Sequence, residues 1–171
     1  MFKIVLTGPE SSGKTTLAAQ LAGHFNTAWV PEFARSYLNG LDRPYQQADL
    51  LEIARGQVAL EEDFLKKANG LLFLDTSLEV IKIWSEFRFG SCHPWILEKC
   101  QQRRHNLYLL CHPDLPWEYD PQRENPHDRE VLFEIYRKEL MALAVDFFVL
   151  DGQGQERFQN AVNAVGNFIK T

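Results

Sequence analysis

Eight residues near the start of the chain, Gly8-Pro9-Glu10-Ser11-Ser12-Gly13-Lys14-Thr15, restrict the fold more than any other stretch. They satisfy G-x-x-x-x-G-K-[ST]. They lie between an apolar run, Phe2 with Ile4, Val5 and Leu6, and a segment in which Leu17, Ala18, Leu21, Ala22 and Phe25 recur at helical spacing. A strand that turns through two glycines into a helix aims successive backbone N–H groups at one concavity, at the positive end of the helix. Such a concavity cradles an anion. The pattern predicts a phosphate-binding loop in which Gly8 through Thr16 surround the phosphates of ATP. Lys14 would reach the β- and γ-phosphates, and the Thr15 hydroxyl would ligate Mg²⁺.

The rest of the chain alternates in the way that loop requires. Thr27–Val30, Leu71–Asp75, Leu107–Cys111 and Phe147–Leu150 read as further strands. Between them, helical spacing runs from Gln46 to Asn69, with Asn69-Gly70 at the C-cap position, from Leu78 to Phe87, from Trp95 to Arg104 and from Glu130 to Leu143. A last helix carries Phe158, Ala161, Val162, Val165 and Ile169 on one face. Five strands alternating with helices imply an α/β, three-layer P-loop NTPase fold, a mainly parallel sheet with helices on both faces. At 171 residues the chain holds one such domain with a full core, and not two. Gly56, inside the longest helix, predicts a close packing contact or a bend there.

Several side chains fall where chemistry is done in such sheets. Glu32 and Arg35 follow the second strand, beyond its carboxyl end. Glu32 reads either as a general base near the acceptor or as a carboxylate favoured by a helix dipole. Leu71-Leu72-Phe73-Leu74-Asp75 is a buried strand ending in a carboxylate, the Walker B pattern, in which Asp75 holds Mg²⁺ together with Thr15. The simpler alternative is a helix N-cap supplied by Asp75, Thr76 or Ser77. Trp84 sits on a helix apolar over much of its circumference and serves either as core or as a platform for a heterocycle. Residues 112–128 hold Pro113, Pro116, Pro121 and Pro126 with Trp117, Tyr119, Asp120 and Arg123, and Arg129 follows at once. No regular strand fits that stretch, so it reads as a lid around 112–129, or as a proline-stiffened surface loop. The Asp151-Gly152 turn lies at the carboxyl edge, where an adenine could rest against Gly152.

Composition narrows the partners. A net charge of -5, with Arg103-Arg104 as the densest basic pair, argues against nucleic acid. The first apolar segment is interrupted by Lys3 and ends at Gly8, too short for a signal peptide or a membrane span, so a cytoplasmic protein with no membrane partner is expected. Cys92, Cys100 and Cys111 are scattered and read as reduced thiols, and Cys92-His93 and Cys111-His112 lack metal-ligand spacing.

Taken together, these stretches resemble the ribosylnicotinamide kinase domain of NadR-type proteins over most of the chain. The resemblance rests on Gly8 through Thr16, Glu32-Phe33-Ala34-Arg35, Phe73-Leu74-Asp75-Thr76, Gly90 with His93-Pro94, and Trp117 through Arg123. It implies ATP contacts from the P-loop, Mg²⁺ at Thr15 and Asp75, and substrate or lid roles for Trp117, Asp120 and Arg123. Val30-Pro31-Glu32 also resembles the Val-Pro-Glu of deoxynucleoside kinases, whose Glu is the catalytic base, which favours Glu32 in that role. The chain departs from the family in having Ser77 for an Asp, and Tyr119-Asp120-Pro121-Gln122-Arg123 for Asp-Asp-Gly-Leu-Arg. Larger members fuse an adenylyltransferase, so a stand-alone kinase or a separated domain is implied.

The expected activity is ATP- and Mg²⁺-dependent phosphorylation of the 5′-hydroxyl of nicotinamide riboside, a step of NAD biosynthesis. Lys14, Glu32, Asp75 and Arg123 would be catalytic. Arg129 and Gly152 would stand on the ATP side, and Arg35, Trp84, Trp117 and Asp120 on the substrate side. A kinase of another nucleoside or nucleotide, or a regulatory P-loop ATPase, is the alternative, although the Asn-Lys-x-Asp signature of switch GTPases is absent. Oligomeric state is left open.

Overall fold

Strands that are apolar without alternation cannot face water on either side, and the chain buries them in the middle of a sheet. In a computed structural model, which describes residues 1–103 and 105–170, β3 (Leu71–Asp75) and β4 (Leu107–Cys111) are buried at every residue and flank β1 (Phe2–Thr7). β2 (Ala28–Val30) and β5 (Phe147–Leu150) complete the sheet, in the order β2-β3-β1-β4-β5 with every pair parallel. The chain order reverses beside β1. Leu6 pairs with Asp75 on one side and Leu109 on the other, which brings the carboxyl ends of the central strands to one crevice, the usual ligand position in open α/β sheets.

Alternation along β1 then assigns the two faces. Ile4 and Leu6 pack with Leu17, Leu21, Ala161 and Val165, the apolar stripes of α1 (Lys14–His24) and α7 (Gly154–Phe168). Val5 points the other way, into a cluster with Ile83, Leu132, Tyr136 and Leu140 of α4 (Leu78–Phe89) and α6 (Arg129–Ala142). α2 (Phe33–Asn39), α3 (Gln47–Leu65) and α5 (Pro94–Gln102) pack through a third cluster that includes Leu50, Ile53, Ile81 and Ile96. The expected three-layer P-loop fold is therefore present, with a sheet wholly rather than mainly parallel. Among the described residues, no helix is long and apolar enough to cross a membrane.

Element ends differ from the sequence reading where side chains capture backbone groups. α3 stops at Leu65 rather than Asn69, because the Thr27 hydroxyl accepts from the Asn69 N–H at 3.0 Å and turns the chain into β3; Gly70, at φ 76°, serves that turn. Arg88 and Phe89, read as loop, continue α4, and the αL cap falls at Gly90. The His93 ring accepts from the Trp95 N–H at 3.1 Å and caps α5, which begins at Pro94 and ends at Gln102; Arg104, where the expected helix ended, lies outside the described residues. The short α2, not anticipated as an element, follows Glu32 directly.

Gly56 meets its expected contact: a Cβ there would overlap the Phe33 ring, while the Phe33 N–H donates to Gln57 Oε1 at 2.8 Å. α3 thus clamps the start of α2 beside Glu32. Gly56→Ala is expected to destabilise the protein by about 2 kcal/mol despite alanine's better helix propensity, because overpacking forces ring and backbone apart. Thermal unfolding checks this. An unchanged or raised midpoint would mean that the ring moves freely.

Candidate active site

The loop after β1 is built as its glycines demand. Gly8 has φ 131°, and a Cβ on it would stand 2.6 Å from the Cys111 carbonyl oxygen, so β4 leaves room for hydrogen alone. Gly13 enters α1 at φ 80°. The buried Ser12 hydroxyl donates to the Pro9 carbonyl at 2.7 Å and fixes the curl between them. Lys14 extends over the loop, its ammonium donating to the carbonyls of Gly8 at 2.9 Å and Pro9 at 2.7 Å.

Two oxygen donors meet at the floor. Thr15 Oγ1 donates to Asp75 Oδ2 at 2.5 Å, and Asp75 Oδ1 is buried with no partner. Burial pushes the Asp75 carboxyl above its ordinary value, and the Thr15 hydroxyl, Lys14 and Arg35 oppose that rise. An orphaned buried carboxylate oxygen beside a hydroxyl fits a hard cation with oxygen ligands, so Thr15 and Asp75 could hold Mg²⁺. The helix-cap alternative for Asp75 fails, because Ser77 occupies the N-cap of α4. Ser77, one departure from the family pattern, is itself engaged below the site: its hydroxyl donates to the buried Glu79 carboxylate, which also accepts from Tyr108 at 2.7 Å.

Glu32 stands at the N-cap of α2 yet makes no capping bond with its side chain. Burial raises its pKa first and the nearby Asp75 carboxyl second, while Lys14 and Arg35 pull it down. Glu32, Lys14 and Arg35 line one cavity of about 430 Å³ that runs from the P-loop to an apolar end formed by Val80, Ile83, Trp84, Phe87, Leu132 and Tyr136. Chemically, this is an anion cradle and a proton acceptor of raised basicity facing an aromatic chamber. Trp84 shows one side to that chamber and donates its indole N–H to the Tyr45 hydroxyl at 3.0 Å, so it joins the wall rather than the core alone.

The segment 112–128 contributes Leu115, Pro116, Glu118 and residues 122–125 to the cavity wall. Arg123 lines the cavity and donates to Ser11 Oγ at 3.3 Å and the Glu118 carbonyl at 2.5 Å. Asp120 pairs with Arg35 at 2.8 Å, and the Gln122 N–H together with Arg35 holds its carboxyl below the usual range. Trp117 and Asp120 are not among the lining residues. Arg129 lies 5.9 Å from the Trp117 ring and donates to the carbonyls of Ser11 and Leu115. Tyr119, the other departure, is 86% exposed.

Gly152 is also outside the lining; its N–H donates to Asp114 Oδ2 at 2.8 Å. The residue that sequence reading missed there is Arg157, buried on α7. It donates to the carbonyls of Ser12 at 2.8 Å, Gly152 at 2.7 Å and His112 at 3.0 Å, and pairs with Asp114. A lone arginine one residue before the apolar face of the last helix was the available signal.

With this geometry in view, residues 3–157 match a family model described as an AAA domain. The chain belongs to that family. The trifunctional NAD biosynthesis/regulator protein NadR of Salmonella typhimurium is 32% identical over 124 residues, which make up 70% of this chain and 30% of the relative, so the chain spans less than a third of that protein's length. A solved NadR protein in complex with NR superposes over 99% of this chain and 50% of its own, with a TM-score of 0.84 at 23% identity. A NadR protein with NAD and AMP-PNP covers the same shares at a TM-score of 0.75 and 22% identity. Both solved structures share this chain's fold, and the resemblance to NadR-type proteins drawn from the sequence holds.

Proposed function

We propose that this protein is an ATP- and Mg²⁺-dependent kinase that phosphorylates the 5′-hydroxyl of nicotinamide riboside to give nicotinamide mononucleotide. The observation that carries the reading is the convergence, at one end of the sheet, of the P-loop, the Thr15 hydroxyl and the raised carboxyl of Glu32 on a cavity with an aromatic far wall, with the buried Asp75 bonded to Thr15 behind it. The NadR relatives, one solved with NR and another with AMP-PNP, support both the donor and the acceptor.

Each group has a physical task. Backbone N–H groups of the P-loop and the Lys14 ammonium hold the triphosphate and offset its charge. Mg²⁺, when held by Thr15 and Asp75, neutralises charge on the phosphates. Glu32 takes the proton of the attacking hydroxyl, and its raised basicity makes it a stronger acceptor for that transfer. Residues 112–128 act as the lid of a single kinase domain, carrying Arg123 to the transferring phosphoryl group and excluding water. Trp84 and the apolar wall receive the base of the nucleoside. A kinase drawing on cellular ATP and salvaging a nucleoside works in the cytoplasm.

The test is ADP release with Mg²⁺-ATP, alone and with a panel of nucleosides, with the phosphorylated product identified. Turnover only with nicotinamide riboside is expected. Another nucleoside as sole acceptor would overturn the substrate, and acceptor-independent hydrolysis with no phosphorylated product would overturn the kinase.

A further inference from the structure

Glu10 sits inside the phosphate-binding loop, where a carboxylate would repel a triphosphate if it faced inward. Its two carboxylate oxygens accept from the N–H groups of Glu124, at 3.2 and 3.1 Å, and Asn125, at 3.0 Å, on the segment that walls the cleft. From the same residue, the Glu124 side chain reaches the opposite way and accepts from the Tyr45 hydroxyl at 2.7 Å. That hydroxyl in turn accepts the indole N–H of Trp84, the wall residue of the apolar chamber, at 3.0 Å, with the two rings edge to face at 5.0 Å. Tyr45 is fixed from behind by an edge contact with Phe89 at 6.1 Å.

One residue of the 112–128 segment is thus gripped from both ends of the cleft, by its main chain from the phosphate side and by its side chain from the chamber side. Its neighbour Arg123 lines the cavity between them. We propose that Glu124 is the clasp of the lid, and that Glu10 and Tyr45 are positioning residues which seat Arg123 through it. Movement of Trp84 on an arriving acceptor is transmitted through the Tyr45 hydroxyl to Glu124, and movement of the loop on ATP is transmitted through Glu10. The lid therefore registers both substrates at a single residue, which favours closure over a complete pair and disfavours hydrolysis of ATP alone.

The inference rests on the kinase reading of the cleft, but its first readout needs no turnover. Tyr45→Phe removes one hydroxyl and keeps the ring packed on Trp84 and Phe89. Amide hydrogen exchange at Glu124 and Asn125, whose own acceptor on Glu10 is untouched, is expected to accelerate about fivefold, the size a single hydrogen bond carries in a local opening equilibrium. Exchange in β1 and β3 should stay as in the parent protein. In turnover, the KM for the acceptor should rise about fivefold with the KM for ATP kept, while Glu10→Gln, which weakens the link from the loop, should raise the KM for both substrates. Unchanged exchange at Glu124 and Asn125 in Tyr45→Phe would overturn the clasp. So would a Glu10→Gln effect confined to ATP affinity, since that would make Glu10 part of the phosphate cradle. Faster exchange in a protein that phosphorylates no nucleoside would sink the proposed activity and leave the clasp standing.

Discussion

Glu32→Gln is expected to lower turnover by about 10² or more while ATP affinity is kept, and to raise the melting temperature once the pH exceeds the folded-state value of the Glu32 carboxyl. The two effects have one origin. Burial and the neighbouring Asp75 hold the Glu32 carboxyl above its ordinary value of 4.5 in the folded protein. The folded state therefore binds that proton more tightly than the unfolded chain does, and the stability this confers is complete below 4.5 and lost as pH rises through the raised folded value. Above that folded value the ionised side chain is a strain on the fold, which a neutral amide of the same shape relieves. Each kcal/mol recovered should lift the midpoint by about 2–4 °C in a chain of this size. The same shift fixes the sign of the pH–rate profile: kcat/KM should fall as pH drops through a value above 4.5, and this acidic limb should be gone from the residual activity of the variant. A purely structural Glu32 would show no such limb. Near-normal turnover in Glu32→Gln would transfer the base role to Asp75.

What the sequence disclosed about the site was local in the chain. The P-loop is a fixed spacing of residues whose backbone conformations only glycine reaches easily, and β3 is an uninterrupted apolar run whose end marks Asp75 without reference to anything distant. Glu32 was placed by its distance from a strand end. The rest depends on partners far away in the chain, for which a spacing leaves no trace. Arg157 holds the Ser12 carbonyl across 145 positions, and the Glu10 carboxylate finds its partners more than 110 residues on. The engagement of Glu10 by Glu124 and Asn125 could not be read from a pattern in which it is one of four variable positions. Trp117 came from the family resemblance rather than from any spacing, and its ring lies beside Arg129 of the following helix, outside the lining of the cavity. Helix ends were displaced where a side chain such as Thr27 or His93 took a backbone group, a competition that propensity does not encode.

Lys14→Met is expected to remove about 10³ of kcat, the upper end of what one well-placed charge donor contributes to a transfer transition state. It should also act in the opposite direction to Glu32→Gln on stability. The Lys14 ammonium opposes the upward shift of both the Glu32 and Asp75 carboxyls. Without it both rise further, so each group, once ionised, weighs more heavily on the fold, and the melting temperature above their folded values should drop. Whatever turnover survives should have its acidic limb displaced to higher pH. Arginine should not restore the rate, because the loop accommodates a compact ammonium between the Gly8 and Pro9 carbonyls and a planar fork does not reproduce that geometry. The double variant separates the two roles. Stability should return toward that of the parent, since Glu32→Gln removes one of the carboxylates that Lys14 screens. Turnover should fall little below the worse single variant, as for groups that act together on one transition state. Kinetics over pH 5 to 9 with thermal melts of the four proteins decide the matter. Losses in turnover that multiply fully, together with melting shifts of the same sign for both single variants, would mean that Lys14 and Glu32 do not share an electrostatic site.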